Sequence, residues 1–158
     1  MRQRVIWALC FLLWCSASLF AQDDQMVFAS AATSKFMNLP GLPTCASATV
    51  QNGDPSKGPA VLLMKASAGC VIPWHWHTAG ENLMMVSGRA KAEMKGGKSV
   101  DLKSGDYVKM PGKSVHQFTA VSAMMMFVAT DGAFDIHYVD ASGNEIPPDQ
   151  ALSAGKKK

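Results

Sequence analysis

From Met26 onward, turn-forming residues divide the sequence into short runs that are either apolar or alternate between apolar and polar side chains. Such runs favour β-strands, and no stretch carries apolar residues at helical spacing over the length of a substantial helix. Short strands at this regular spacing are typical of a β-sandwich or barrel, so the predicted fold class is all-β. The predicted strands are residues 45–50, 60–65, 73–77, 82–86, 89–95, 99–102, 107–110, 116–119, 123–130 and 134–139.

The N-terminus has the order of regions found in a secretory signal peptide. A basic start precedes an apolar run at residues 5–13, and a polar stretch follows at residues 22–24. The run is shorter than the about 20 apolar residues of a membrane-spanning helix. We expect residues 1–21 to be removed, with a cut after Ser18 as the alternative. A lipoprotein anchor at Cys15 is disfavoured because a bulky tryptophan precedes it.

Removal of the signal changes the charge balance. The 158 residues include 15 basic and 12 acidic side chains, and Arg2 and Arg4 belong to the signal, so 13 basic side chains remain. The terminal lysines are expected to form a solvated tail. We therefore expect a periplasmic or secreted protein that binds neither nucleic acid nor, after cleavage, a membrane. The remaining chain divides into an N-terminal segment at 22–44, a β-barrel at 45–140 and a C-terminal tail at 141–158.

The cysteines separate into two groups. Cys10 and Cys15 lie in the predicted signal, whereas Cys45 and Cys70 remain in a compartment that permits disulfides. The two either form a bridge or stay as buried thiols, because a bridge needs a Cα separation of about 4.4–6.8 Å that only the fold determines.

One segment combines metal-binding side chains with strand spacing. His75 and His77 are separated by one residue, so on a strand both point to the same face. Glu81 follows beyond a glycine turn and returns to the same interior, and His116 supplies a third imidazole after a Pro-Gly turn. Three imidazoles and a carboxylate suit one divalent iron, manganese, nickel, copper or zinc ion.

This segment resembles the first motif of the cupin superfamily, which places a glycine, a His-x-His pair, a glutamate and a second glycine in a fixed order. Every defined position of that motif is occupied, by Gly69, His75, His77, Glu81 and Gly88.

The second cupin motif is matched less completely. Gly105, Pro111 and His116 fit it, whereas Lys113 stands at its glycine position and Ala120 at its asparagine position. The resemblance covers residues 60–139 and implies a single-domain jelly-roll barrel, commonly a homodimer. It also implies that one divalent transition metal ion is bound by His75, His77, Glu81 and His116.

Other distinctive side chains have structural interpretations. The methionines at 124–126 predict packing of the barrel interior more than copper ligation, with Met125 facing away from its neighbours. Trp74 and Trp76 point away from the histidine face and either pack in the outer layer or form a dimer contact. His137 is expected on the solvent side, outside the metal site.

The function predicted from this pattern is a metal-dependent enzyme of dioxygenase or oxidase type that acts on a small organic molecule. Glu81 would be both a ligand and a candidate catalytic proton acceptor. The main alternative is a non-catalytic cupin that binds or senses a small molecule, because few acid-base residues accompany the ligands. Sugar epimerase or isomerase chemistry and a closed structural metal site are weaker alternatives.

Overall fold

The computed structural model describes residues 26–154, so the predicted signal peptide at 1–21 and the terminal lysines lie outside the described residues. Within residues 26–154, no helix is both long and apolar enough to cross a membrane. The elements are β1 (Ala46–Gly53), β2 (Ala60–Ala66), β3 (Val71–Trp76), β4 (Glu81–Ser87), β5 (Arg89–Met94), β6 (Ser99–Lys103), β7 (Tyr107–Met110), β8 (His116–Ala120), β9 (Met124–Thr130), β10 (His137–Val139), β11 (Glu145–Ile146) and α1 (Pro148–Ala154).

The strands form two sheets that enclose one core. One sheet has five strands in the order β1-β2-β9-β4-β7, and the other has six in the order β11-β10-β3-β8-β5-β6. The strand pairs in both sheets are antiparallel, and most join strands that are distant in sequence. This arrangement is a jelly-roll barrel, which confirms the predicted all-β fold class.

Alternate residues of each strand supply the core. In β9 every second side chain is buried, so Met124 and Met126 lie inside while Met125 is half-buried on the outer face. The predicted packing role of these methionines is therefore confirmed. Among the described residues, the largest side chains that are almost fully buried are Tyr138, Leu63, Met126 and His116.

The ten predicted strands correspond to β1 through β10. The largest differences are at β1, which ends at Gly53 and not at residue 50, and at β10, which begins at His137 and not at residue 134. Residues 131–136 form a loop before β10. β3 ends at Trp76, so His77 lies just beyond the strand that carries His75. Metal-binding side chains therefore sit at the junction between regular strands and the connecting loops.

A disulfide bridge joins the two sheets near the N-terminal segment. Cys45 and Cys70 are bonded, with 5.6 Å between their Cα atoms. Cys45 directly precedes β1 and Cys70 directly precedes β3. The bridge therefore ties the end of the N-terminal segment to the sheet that carries the histidines.

The segment after residue 140, predicted as a C-terminal tail at 141–158, contains two short elements. Residues 145–146 form β11, which pairs with β10, and α1 buries Ala151 in the core. The apolar residues after residue 140 are few and separated by polar ones, so they show no periodic pattern in the sequence. Ala151 is buried and Ile146 and Leu152 are partly buried because β3 and β10 lie beside them.

The two tryptophans make contacts within the same chain. The ring of Trp76 stacks on His137, with 4.0 Å between centroids and an angle of 8° between planes. Trp74 lines a groove together with Ile146 and Ala151. These contacts agree with the outer-layer interpretation of both side chains. His137 lies outside the histidine cluster and is about a third exposed.

Lys113 is held in a strained backbone conformation. Among residues 26–154 it is the one non-glycine residue with a positive φ, at 60°, and its N–H donates to the His77 carbonyl at 2.7 Å. A side chain in this left-handed region costs about 1–2 kcal/mol, which glycine avoids at some cost in chain entropy.

We expect Lys113→Gly to raise the free energy of unfolding by up to about 1 kcal/mol in urea titrations. Lys113→Ala is the matched control, since it removes the charge but keeps the Cβ, and it should give no comparable gain. Equal stability of the two variants would show that the backbone conformation is not the source of the effect.

Candidate metal centre

Two neighbouring strands of the six-stranded sheet bring three imidazoles together. His75 on β3 lies directly opposite His116 on β8 in the strand register, and His77 follows β3 by one residue. The ring centroids of His75 are 4.8 Å from His77 and 4.2 Å from His116. One nitrogen from each ring lies within 4.8 Å of the others, so the three side chains can hold one metal ion.

Backbone carbonyls set the orientation of all three rings. The Nδ1 atoms contact Pro73 O at 2.6 Å from His75, Ser114 O at 2.8 Å from His116, and Asp135 O from His77. A carbonyl oxygen only accepts hydrogen bonds, so each Nδ1 must carry the proton. In the neutral ring the lone pair is then on Nε2, which is the atom available to a metal ion.

Glu81 completes the cluster from the other sheet. It is the first residue of β4, and its carboxyl oxygens lie 3.3 Å from Nε2 of His116 and 3.6 Å from Nε2 of His77. Its residue exposure is only 8%. One buried carboxylate therefore faces the lone-pair side of two imidazoles.

Burial and mutual contacts shift the titration of the cluster. Burial, followed by the charges of His116 and His77, holds the pKa of His75 well below its ordinary value. Burial raises the pKa of Glu81, but the contacts with the His116 and His77 imidazoles outweigh it, so this pKa lies below its ordinary value. Both shifts favour a neutral imidazole beside an ionised carboxylate, which are the forms that bind metal ions.

The donor set fits a divalent metal ion. Among residues 26–154, Nε2 of His116 is the one buried side-chain nitrogen or oxygen without a hydrogen-bond partner of normal geometry. It faces the Glu81 carboxylate, and two acceptors at this distance repel each other unless a proton or a metal ion lies between them. Three nitrogen donors and one oxygen donor suit iron, manganese, nickel, copper or zinc.

An apolar cavity opens beside the cluster. Its volume is about 30 Å³, which is room for about two water-sized groups. The polar residues in its lining are His75, His77 and Glu81, and the others are apolar. The cavity therefore leaves a small free space, with apolar walls, directly beside the candidate metal ligands.

Asp135 fixes His77 from outside the cluster. Its carbonyl accepts from Nδ1 of His77, and its carboxylate accepts from the Thr78 N–H at 2.7 Å. The side chain thus anchors the loop whose backbone orients the ring. Burial raises the pKa of Asp135, but the hydrogen bonds from Thr78 and the contact with His137 hold it below its ordinary value.

We expect Asp135→Ala to weaken metal binding by up to about 10-fold, the lower end of the effect of losing a group that orients a ligand. The variant keeps the carbonyl that accepts from His77 and removes only the carboxylate that anchors the loop. The measurement is the dissociation constant for Zn²⁺ by chelator competition. Asp131→Ala is the matched control, because this carboxylate lies in the same loop and pairs with Asn82 instead. Equal losses in the two variants would indicate general loosening of the loop.

All four side chains predicted to bind metal converge in the structure: His75, His77, Glu81 and His116. Their roles as ligands, and that of Glu81 in catalysis, stay predictions. Sequence reasoning missed Asp135, because it acts through a carbonyl 58 residues from His77. It also missed the cavity residues Leu39, Leu42 and Phe134, since an isolated apolar residue in a loop carries no distinguishing pattern.

Part of the sequence matches a known protein family and a plant protein. Residues 62–130 match the family model described as Cupin domain. A region of 79 residues is 30% identical to the DNA damage-repair/toleration protein DRT102 of Arabidopsis thaliana. That match covers 49% of this chain and 26% of the relative, so the chain spans about a quarter of that protein's length.

Solved structures share the barrel at low sequence identity. The polyketide cyclase RemF from Streptomyces resistomycificus superposes with a TM-score of 0.62 at 13% identity, covering 81% of this chain and 99% of that chain. An RmlC-like cupin protein from Ralstonia eutropha superposes with a TM-score of 0.60 at 20% identity, covering 82% of this chain and 86% of that chain. With all four converging side chains inside the matched region and a jelly-roll barrel around them, residues 62–130 are a cupin domain.

Proposed function

We propose that the protein is a metal-dependent enzyme of dioxygenase or oxidase type that acts on a small organic molecule. The observation that carries the proposal is the convergence of three Nε2 atoms and the Glu81 carboxylate beside an apolar cavity. A divalent metal ion bound there would supply Lewis acidity and, where it is redox-active, one-electron chemistry with dioxygen.

The protein residues contribute orientation, charge and exclusion of water. Three neutral imidazoles and one carboxylate leave a divalent ion with a net charge of about +1, so the site attracts an anionic oxygen donor. The apolar walls keep bulk water from the reacting groups. Glu81 is placed to accept a proton from a substrate bound beside it, in addition to its role as a ligand.

The composition of the cavity favours oxygen chemistry over isomerase or epimerase chemistry. Those reactions need a general acid or base, and the described lining offers only residues of the metal cluster for that role. Tyr138 lies next to His75, with 5.9 Å between ring centroids, but its hydroxyl donates to the Gly41 carbonyl at 2.7 Å. Burial raises the pKa of Tyr138, so the phenol stays protonated and held in this hydrogen bond.

The test is oxygen consumption by the protein loaded separately with Fe²⁺, Mn²⁺, Ni²⁺ and Cu²⁺, screened against carboxylic acids and phenols. We expect one metal and one substrate class to give uptake that disappears in His75→Ala. His137→Ala is the control, because this histidine lies outside the cluster. Uptake that persists in His75→Ala would overturn the proposal.

A non-catalytic binding or sensing protein is the second candidate. The same lack of free acid-base groups in the described cavity lining favours it. Its signature would be a stoichiometric metal ion and a melting temperature raised by small ligands, without turnover in the same screen.

We also propose that the protein is exported. The N-terminal sequence supports this, and so does the Cys45–Cys70 bridge, because disulfides persist mainly in oxidising compartments. Mass spectrometry of the protein recovered from the periplasm or the medium should show a chain that lacks residues 1–21.

We propose that two copies of the chain form a homodimer by contact between the outer faces of their five-stranded sheets. This face carries apolar side chains on β4 and β7, of which Val86 is 44% exposed and Tyr107 58% exposed. Met84 lies between Tyr107 and Phe127 in the register, so the patch is continuous across three strands. Light scattering of Val86→Lys, compared with the unmodified protein, should show loss of the dimer.

A further inference from the structure

The cavity wall contains residues from outside the matched region 62–130. Leu39 and Leu42 come from the segment before β1, and Phe134 comes from the loop after β9. We infer that these three side chains determine which substrate enters: a small mono-anionic oxygen donor, such as a carboxylate or phenolate, with a short apolar body. This inference rests on the proposed function and names its substrate class.

The charge of the cluster favours a bound molecule with one anionic oxygen group. A divalent ion with the Glu81 carboxylate and three neutral imidazoles retains about one positive charge, which one anionic oxygen group neutralises. A second carboxylate would have to enter walls that are apolar apart from the cluster residues. Burying an unpaired charge in such surroundings is costly, so di-anions are disfavoured.

The position of Leu39 and Leu42 is set by contacts around Gly41. The hydroxyl of Tyr138 donates to the Gly41 carbonyl at 2.7 Å. Gly41 has φ of +82°, and a Cβ at this position would lie 2.9 Å from Cγ2 of Ile136. The segment is therefore clamped against β10 and its preceding loop, and Leu42 is buried in the core with 9% exposure.

The position of Phe134 is also set by specific contacts. Its N–H donates to the Pro55 carbonyl at 2.7 Å, and its ring centroid lies 5.2 Å from that of His77. Phe134 therefore adjoins the metal cluster directly and limits the width available to a ligand beside His77. A wall made of three positioned apolar side chains favours one length and width of apolar body.

The experiment uses the protein loaded with Co²⁺, whose visible absorption reports ligand binding without any need for turnover. The probes are straight-chain carboxylates from acetate to octanoate, together with succinate as the di-anion matched to butyrate. Because the cavity has room for only about two water-sized groups, we expect acetate or propionate to bind most tightly and the dissociation constant to rise with each further methylene. Succinate should bind at least about 10-fold more weakly than butyrate.

Variants of the wall should move this optimum. Leu39→Ala and Phe134→Leu are expected to shift the preferred chain length upward by one or more methylenes. Leu152→Ala is the control, since this half-buried leucine lies on α1 and outside the cavity lining. The control should keep the optimum of the unmodified protein.

Three results would overturn the inference. One is an affinity that does not change with chain length, the second is succinate binding as tightly as butyrate, and the third is an unchanged optimum in Leu39→Ala and Phe134→Leu. Failure of the enzymatic proposal is distinguishable, because length-selective binding without oxygen uptake would retain the inference and refute catalysis. Absence of Co²⁺ absorption would refute the metal centre and the inference together.

Discussion

Replacement of His75 or His116 by alanine is expected to reduce the metal content from one ion per chain to almost none. The two rings face each other across β3 and β8, and each presents Nε2 to the centre of the cluster. Loss of a residue that only orients a ligand costs about 10- to 100-fold in affinity, so loss of the ligand itself should cost more than about 100-fold. Elemental analysis after dialysis against Zn²⁺ measures the effect.

His137→Ala is the matched control for these variants. It removes an imidazole that stacks on Trp76 and lies between Asp135 and Glu145, away from the cluster. Its metal content should equal that of the unmodified protein. Retention of a full equivalent of metal by His116→Ala would place the ion elsewhere.

Metal binding should also stabilise the fold. A ligand that binds only the native state stabilises it by about 2.7 kcal/mol when its free concentration is 100 times the dissociation constant. Chelation should therefore lower the melting temperature of the unmodified protein and leave that of His75→Ala almost unchanged. A melting temperature that falls on chelation only in the unmodified protein shows that the bound ion, and not the packing of the His75 side chain, provides this stability.

Removal of the disulfide is the second large effect that we expect. The double variant Cys45→Ser/Cys70→Ser should lose about 3 kcal/mol of unfolding free energy, because the bridge closes a loop with a sequence separation of 25. For a chain of this size such a loss lowers the melting temperature by roughly 6–12 °C. Thermal unfolding followed by circular dichroism measures it.

The single variants Cys45→Ser and Cys70→Ser serve as controls for the double variant. Each breaks the same bridge, so each should be destabilised by a similar amount. Metal binding should persist in all three, since His75, Glu81 and His116 are held by strand pairing that does not depend on the bridge. A double variant as stable as the unmodified protein would contradict the expectation.

The strand pattern and the cupin motif were readable because they depend on local spacing. Alternation places His75 and His77 on one side of a strand wherever that strand lies. Turn residues such as Gly88, which has a positive φ of 80°, mark where the strands must end. Such features are determined by backbone geometry within a few residues, so they need no knowledge of the fold.

Contacts between distant segments were not readable in the same way. The tail predicted at 141–158 contains β11 and α1 in the structure, because a few apolar side chains meet a surface made by β3 and β10. Asp135 orients His77 through its backbone carbonyl, a group that every residue possesses. No residue type in the sequence identifies such a partner.

The sequence alone determined the all-β class, the order of the strands along the chain and the four side chains able to bind a metal ion. The tertiary structure decided that Cys45 and Cys70 are bonded, that Glu81 crosses from one sheet to face His116, and that Leu39, Leu42 and Phe134 wall the cavity. The physical reason is the range of the interactions. Periodicity and turn chemistry act between neighbours in the chain, whereas ligation, bridging and cavity shape depend on which strands lie side by side.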